Sequence, residues 1–541
     1  TEGTTIEFVS TPKSVYTVTE LQDLEDLDDF YESVELRVSG LGKFSLVVDE
    51  RPTGLIVSGL DGIQNATEGD YTLTIKYNSA TIYWSYKVIA SAPDPGVTAD
   101  KTWYTGHEDD STFDISNEAE LYGLAELVNE DGVTFDGKTI RLTENINLTD
   151  KVWTPIGEGA RKHLVTIHEF PDGTTLDDIE DYVEENHGFI EGGYSIMVDD
   201  QGQSYDRDLI PLIDQNYILF SKDNNLLVNG VNTDYVIHKK GGGLYELQSV
   251  LDYFGPNEAL FMGTFDGQNH TIKGLSDIGY NPRNALNYYV NVRGLVYGYS
   301  FGLFGRVSGN VTLKNIKFTD VSITGSYLNF GEGVSVENYS VDSAGALVGF
   351  YGGIKKEGVI ENGDLTIQNC EVLSGSLSGE DSMGGILGRV YYVNNLTIID
   401  CKNYANITSV KKVGGIGGFI TTSNTSVEET SIYLQNLVNY GQVFTTSNTS
   451  SSTGGGILTR YQGFYYATVK DCINYGDVTV ILNSTTAIGG IFMSGQADIG
   501  VLTNFANNFN YGNLKYLNNL GEFVSIDKQV GVPQDKTEFG S

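Results

Sequence analysis

Six segments between Phe301 and about Tyr516 share one plan, and this internal repeat limits the fold more than any other feature of the chain. Each segment opens with a small-residue and apolar cluster: FGLFG (301–305), AGALVG (344–349), MGGILG (383–388), VGGIGG (413–418), TGGGIL (453–458) and IGGIFM (488–493). After a variable loop comes a second apolar run: VTLKNIKF (311–318), LTIQNCEV (365–372), LTIIDCKNY (396–404), IYLQNLVNY (432–440), ATVKDCINY (467–475) and VLTNFANNFNY (501–511). Aligned on Leu303, Leu347, Ile386, Ile416, Ile457 and Ile491, the units are 30 to 44 residues apart.

A third short run closes four of the units, as in VSITG (321–325), ANITS (405–409), QVFTT (442–446) and DVTVI (477–481). Three short strands with Gly and Asn at the corners predict one rung of a right-handed parallel β-helix. Rungs pair only with their neighbours, ~4.8 Å away, so six rungs plus one or two from 138–148 and 263–278 give a rod of roughly 35 Å. Its exposed strand edges need caps. A helix predicted over 117–131 stands where one cap belongs: Asn117 and Glu120 form a capping box, and Leu121, Leu124, Ala125 and Val128 recur at helical spacing.

Stacking turns repeat positions into columns. Ile316, Cys370, Cys401, Leu437 and Cys472 make an inward apolar column, in which the cysteines act as small hydrophobes and stay thiols. Asn403, Asn439, Asn474 and Asn510 make a second column, suited to left-handed backbone and to hydrogen bonding down the stack at a turn. Tyr404, Tyr440, Tyr475 and Tyr511 follow and face outward by strand alternation. A structural role suits this tyrosine column better than a glycan platform.

The rest of the chain divides around the rod. Residues 1–91 carry alternating runs at 5–10, 33–40, 44–50, 55–61, 70–78 and 81–91, which predict a small β-sandwich. A linker covers 92–100, where two prolines and a glycine interrupt the strands. The β-helix takes 101–157 plus 261–520. Residues 158–260 read as an α+β insertion, with strands at 164–170, 194–200, 217–223 and 234–240 and helices at 174–188 and 244–255. A polar tail, 521–541, follows.

A formal net charge of −38 opposes binding to nucleic acid or anionic membranes, since both recruit Lys and Arg to phosphate. No apolar run reaches the length of a membrane span. Three cysteines in 541 residues exclude a disulfide scaffold. Abundant Thr, Asn, Gly and Tyr suggest an exported protein. No cofactor is implied, although the acidity is compatible with Ca²⁺ at surface carboxylates.

Two resemblances add to this reading. Residues 1–91 resemble bacterial immunoglobulin-like modules of surface proteins through 12–30, the Val57–Asp61 turn and Gly69–Ile75, which implies a spacer or binding module. The runs ELYGLAELVNEDGVTFDGKTIRLTENINLTDKVWTPIG (120–157), FMGTFDGQNHTIKGL (261–275) and GLFGRVSGNVTLKNIKFTDVSITG (302–325) resemble the GLUG-motif β-helix proteins of bacterial surfaces. That resemblance implies a pectin-lyase-like fold, an extracellular place on a bacterial cell surface and an adhesin-like role. The insertion departs from that family's close join of WTPIG to GTFDG.

Enzymatic signatures are sparse. Galacturonan hydrolases of this fold carry NTD, paired Asp, GHG and RIK in that order. Here Asn232-Thr233-Asp234 follows Asp199-Asp200, and GHG and RIK are missing. Arg306 and Arg389 occupy matching positions, as a lyase base would require, but no acidic cluster accompanies them in sequence. His163 and His168 have no metal-site spacing, and the acidic stretches 23–29 and 176–181 lack the EF-hand pattern. The loops after the first strand carry Tyr351, Tyr391, Tyr392, Tyr461, Tyr465 and Tyr466, and these are the candidate ligand-binding residues. The expected function is binding of a carbohydrate or a host surface protein through these loops. The alternatives are a polysaccharide lyase or glycoside hydrolase of the β-helix fold, and a structural stalk.

Overall fold

The computed structural model describes residues 6–526 with breaks, the longest at 183–216, 221–234, 251–259, 279–287 and 326–338. The chain is mainly β, and its repeat region is built from long parallel sheets, as a parallel β-helix requires.

Each full turn of the repeat passes through four sheets rather than the three expected. Sheet 1 holds the short strands Tyr339–Ala344, Ser382–Gly384, Lys412–Gly414, Thr453–Gly455 and Ile488–Gly489. A two- or three-residue bend leads to sheet 2, with Phe304–Val307, Val348–Tyr351, Leu387–Tyr391, Gly417–Thr421 and Leu458–Gln462. Sheet 3 is the longest. It starts at Thr112–Ile115, Thr139–Leu142 and Thr264–Asp266, and continues through Val311–Thr319, Gly363–Val372, Val393–Ile399, Ser431–Gln435, Tyr466–Lys470 and Val501–Ala506. Sheet 4 contains Val321–Ile323, Gly375–Gly379, Asn406–Ser409, Val443–Thr445, Val478–Val480 and Leu514–Leu517. Sequence reading merged sheets 1 and 2 because only a glycine-rich bend separates them.

Pairing is in register, so the columns are real. Ile316 pairs with Cys370, and Ile367 with Ile398, which pairs with Leu434. Cys370, Cys401 and Cys472 are fully buried free thiols. Burial pushes the Cys472 thiol up to about 12. Helix Glu118–Asn129 lies against the first rungs with Leu121, Leu124, Ala125 and Val128 buried, and Asn117 accepts from the Glu120 amide at 3.0 Å. At the other end Phe523–Ile526 pairs antiparallel with Leu514–Leu517 and covers the edge of sheet 4. Those four residues had been assigned to the polar tail.

The asparagine column differs from expectation in one respect. Left-handed backbone falls three residues earlier, at Asp400, Asn436, Asp471 and Asn507, with φ of 52–57°. Asn403, Asn439 and Asn474 are instead fully buried. Each donates Nδ2 to the carbonyl two residues on, Ala405, Gly441 or Gly476, at 2.8 Å. Each also donates to the next rung's amide oxygen: Asn403 to Asn439 at 2.9 Å, Asn439 to Asn474 at 2.8 Å and Asn474 to Asn510 at 2.7 Å. Room for this ladder comes from the repeat's glycines, since a Cβ on Gly385, Gly415 or Gly456 would run into the Asn403, Asn439 or Asn474 amide. The GG motif and the N-Y motif are thus two halves of one packing solution.

The described residues between Ile6 and Ile89 include two sheets around a separate apolar core that contains Val34, Leu36, Leu73, Ile75 and Val88. One sheet orders Ile6–Phe8, Glu35–Val38 and Gly42–Ser45; the other orders Val15–Thr17, Ala80–Ile89, Gly69–Tyr77 and Ile56–Ser58. Part of the acidic stretch 23–29 enters the helix Leu27–Glu32. In the insertion, the described strands Leu164–Glu169, Leu244–Val250, Tyr235–Lys240 and Tyr217–Phe220 make one antiparallel sheet in that order. The helix expected at 244–255 is therefore a strand over 244–250. Its apolar spacing suits either state, and hydrogen bonding to a strand on both sides selects the extended one. The runs 194–200 and most of 174–188 lie outside the described residues. Thr175 and Asp178 do form a reciprocal capping box at the start of the latter, with bonds of 2.9 and 3.2 Å.

The ladder makes a measurable claim. Asn439→Ala leaves buried polar groups without partners, each costing roughly 1–3 kcal/mol. Gly385→Ala and Asn403→Ala each lower the urea midpoint, and the double variant loses less than the sum, because the smaller side chain relieves the clash. Full additivity would separate the two motifs.

Candidate functional site

Sheet 2 alternates inward and outward, and this sorts the candidate tyrosines. Val307, Tyr351, Val390, Ile420 and Tyr461 form one inward column. Tyr351 is fully buried and donates its hydroxyl to the Gly309 carbonyl at 2.9 Å. Tyr461 packs edge-on against Phe492 at 5.2 Å, and its buried hydroxyl has no hydrogen-bond partner among the described residues. Burial raises both phenols well above their ordinary range. Neither ring reaches a ligand, so these two assignments are corrected: strand parity turns them inward although they sit beside exposed neighbours.

The outward column reads Arg306, Phe350, Arg389, Phe419 and Arg460, one residue per rung. Cations and rings alternate. Arg306 lies over Phe350 at 5.4 Å, and Arg460 over Phe419 at 5.7 Å. Two residues beyond Arg389 stands Tyr391, half-buried, with its ring 5.9 Å from Phe350 and 6.0 Å from Phe419. Arg389 lies over the Tyr391 ring at 5.7 Å.

Tyr392 alone connects sheet 2 to sheet 3 on this rung, with φ of 59°. Left-handed backbone at a bulky residue is uncommon and costs about 1–2 kcal/mol. The corner one rung before holds residues 352–362, including the hairpin Ile354–Lys356 with Val359–Glu361. The corner one rung after holds residues 422–430. Tyr391 and Tyr392 therefore stand on a one-residue corner between two long ones. Tyr465 and Tyr466 stand at the same corner two rungs on, edge-to-face at 4.7 Å, with Tyr466 exposed.

Arg389 is buried, and it is not alone. Nη1 donates to Asp342 Oδ2 at 2.7 Å, Nη2 to Asp381 Oδ2, and Nε to Ser382 Oγ at 3.1 Å. Lys412 donates to the other oxygen of Asp381, and Lys411 to Glu380 at 2.7 Å. The expectation that no acidic cluster accompanies the matching arginines is thus overturned at Arg389. Asp342 sits on the preceding rung and Asp381 across the bend from sheet 1, so neither is near Arg389 in the sense that a local motif search uses. A signal was present: Asp381 and Lys411 fill the same repeat position on adjacent rungs with opposite charge, and Glu380 and Lys412 extend the two pairs on either side.

The two carboxyls titrate in opposite directions. Desolvation raises Asp342, outweighing Arg389 and aided by Asp381 and Glu380. Asp381 is lowered: burial opposes this, but Arg389, Lys412 and Lys411 prevail. Burial lowers Lys412 against the pull of Asp381.

His168 packs between Phe170 and Tyr182, at 4.7 and 4.2 Å. His163, Asp199-Asp200 and Asn232-Thr233-Asp234 lie outside the described residues. Among the described residues no group of three or more His, Cys, Asp or Glu is placed to hold a metal ion, and no helix is long and apolar enough to cross a membrane.

No family model and no curated relative matches the chain. A solved structure similar to it is the crystal structure at 1.30 Å of a Bacteroides ovatus protein described as a "putative immunoglobulin A1 protease". That chain is 15% identical, with a TM-score of 0.37 over 78% of this chain and 82% of the other. At that identity and score the likeness carries no argument about chemistry or partners.

The carboxyl pair gives a pH test. Asp381, with its pKa lowered in the fold, supplies stability that is present above the ordinary carboxylate range and lost as pH falls through its folded pKa. Asp342, raised, works the other way: between its unfolded and folded pKa the native state holds the extra proton, so stability falls as pH rises. Urea midpoints across pH 3–8, a range set by the carboxylate reference of about 4, should show Asp342→Asn flattening the fall on the alkaline side. Asp381→Asn should be destabilising at neutral pH.

Proposed function

We propose that this chain is an extracellular, surface-displayed binding protein of the adhesin-like kind, and that it holds a glycan on the outer face of sheet 2 around Tyr391 and Tyr392. The observation that supports this reading is the Tyr391 corner itself. A half-exposed ring is braced by Phe350, Phe419 and the buried Arg389, beside a tyrosine held in left-handed backbone. Backbone strain of this kind clusters at ligand sites. Rigid aromatic side chains beside fixed charged groups suit a sugar ring, whose faces are apolar and whose rim is polar. Tyr465 and Tyr466 extend the same face. The −38 charge makes nucleic acid and anionic membrane the wrong partners. In this reading residues 1–91 are an immunoglobulin-like spacer, and the rod is a GLUG-type solenoid.

A second reading is favoured by one specific observation, the convergence of Asp342 and Asp381 on a single guanidinium. Two carboxyls whose surroundings push their pKa values apart, flanking one site, are the equipment of a glycoside hydrolase. Against it, the hydrogen bonds of both carboxyls are spent on Arg389 and Lys412, which is how a structural ion pair is built.

A glycan array, followed by affinity measurement on hits, tests the binding reading. Tyr391→Ala is expected to weaken a hit at least tenfold, about 1.4 kcal/mol, with an unchanged circular dichroism spectrum. Unaltered affinity in Tyr391→Ala and Tyr466→Ala would remove this face from consideration. Release of reducing ends from the same glycans, abolished by Asp342→Asn, would select the hydrolase instead.

A further inference from the structure

Sheet 3 and the corner into sheet 4 carry a second ordered surface, on residues that the binding reading does not use. Tyr404, Tyr440, Tyr475 and Tyr511 are 41%, 43%, 44% and 64% exposed. Their rings stack at 4.5, 4.9 and 5.2 Å with planes within 15° of parallel. Leu373, also exposed, occupies the rung before Tyr404. Beside them runs a column of Lys402, Val438, Ile473 and Phe509, the last exposed. On the other flank Asn406 is tied to Gln442, and Asp477 to Asn513, by hydrogen bonds of 2.8–3.0 Å. Exposed large apolar residues thus collect in one strip, which marks an interaction surface.

Geometry selects the kind of partner. Rings stacked along the rod have their faces against each other, so Tyr440 and Tyr475 offer solvent only an edge and a hydroxyl, and the end rings Tyr404 and Tyr511 each keep one face outside the ring stack. A sugar that stacks on aromatic faces finds none along the length of the ladder. What the strip does offer is a row of hydroxyls and apolar tips repeating at the rung spacing, ~4.8 Å. Another β-solenoid presents the same period, and a second copy of this chain also presents the same column. Charge points the same way. In a chain of net charge −38 two copies repel over most of their surface. Along this strip the lysines are matched internally, Lys402 with Glu371 at 2.7 Å and Lys515 with Asp477 at 3.2 Å.

We propose that this strip is a self-association face, on which two copies lie side by side with their tyrosine ladders meeting tip to tip. Each phenol can donate one hydrogen bond and accept another, so two interleaved rows of hydroxyls can bond in a zigzag, each donating to one facing oxygen and accepting from the next, with only the end groups left to water. A two-fold arrangement lets the same patch serve both copies. Five rungs make a strip about 20 Å long. That is small for a stable dimer, so the contact is weak in solution and gains effect where many copies share a surface.

Sedimentation velocity on the full chain tests this at protein concentrations up to about 1 mM, where a contact worth about 4 kcal/mol is half-formed. The sedimentation coefficient is expected to rise with concentration, and more at high salt, which screens the repulsion. Tyr440→Ser with Tyr475→Ser should weaken association at least tenfold, whereas Tyr391→Ala should leave it unchanged and so keeps this test separate from glycan binding. Should the serine variant lose its fold, Tyr440→Phe with Tyr475→Phe keeps the stack, removes the hydroxyls and should still weaken association. A monomer at every concentration and salt overturns the proposal, as does a dimer indifferent to the ladder variants. Loss of glycan affinity in the ladder variants alone would assign the strip to a glycan instead.

Discussion

In-register parallel pairing is the constraint from which the rest of this molecule follows. Once Ile367 must lie beside Ile398 and Ile398 beside Leu434, every repeat position becomes a column, and whatever chemistry stands there meets itself one rung away. For apolar side chains the consequence is favourable and needs nothing further. For polar side chains each column needs a way to tolerate its own repetition. Asparagine succeeds because its amide is both donor and acceptor, so Asn403, Asn439, Asn474 and Asn510 chain head to tail with no group unpaired at the buried rungs. Its bulk is then accommodated by removing side chains opposite, at Gly385, Gly415 and Gly456.

Charge cannot chain in this way. Two like charges on adjacent rungs, ~4.8 Å apart, repel by about 3 kcal/mol at an effective dielectric of ~20. The chain answers by alternation. On sheet 2, arginine alternates with phenylalanine through Arg306, Phe350, Arg389, Phe419 and Arg460, so each cation has a ring rather than a cation as its neighbour. Ahead of sheet 1, Glu380-Asp381 meets Lys411-Lys412. Part of what looks like a functional constellation around Arg389 is thus the ordinary cost of stacking charged residues. The part that stacking does not require is the buried guanidinium shared between two carboxyls, and the strained Tyr392 beside it.

This explains what was legible in the sequence. The repeat unit, the capping helix with Asn117 and the inward cysteine column follow from periodicity and local rules and appear where those rules place them, although the rung crosses four sheets and not the three expected. Strand parity was legible too, and applying it to Phe350-Tyr351 would have turned Tyr351 inward at once. The left-handed residue was misplaced by three positions, because Asp400 and Asn403 both satisfy the local preference and only the ladder geometry separates them. Residues 244–250 became a strand through pairing on both edges, which no local pattern records. Asp342 belonged to another rung, and its approach to Arg389 depends on how the rod bends between sheets 1 and 2.

Columns also indicate where a function separable from stability can lie. An inward column such as Asn403 to Asn474 is fixed by its neighbours above and below, and a change there is felt as loss of fold. Tyr404, Tyr440, Tyr475 and Tyr511 are half free: their faces are committed to the stack, and their edges and hydroxyls are not. Tyr391 differs again: its column partners on later rungs are Thr421 and Gln462, so the column does not repeat an aromatic there. A ring that repetition does not demand, held between Phe350 and Phe419 on a one-residue corner, is what sets this rung apart from its neighbours and what the glycan proposal rests on.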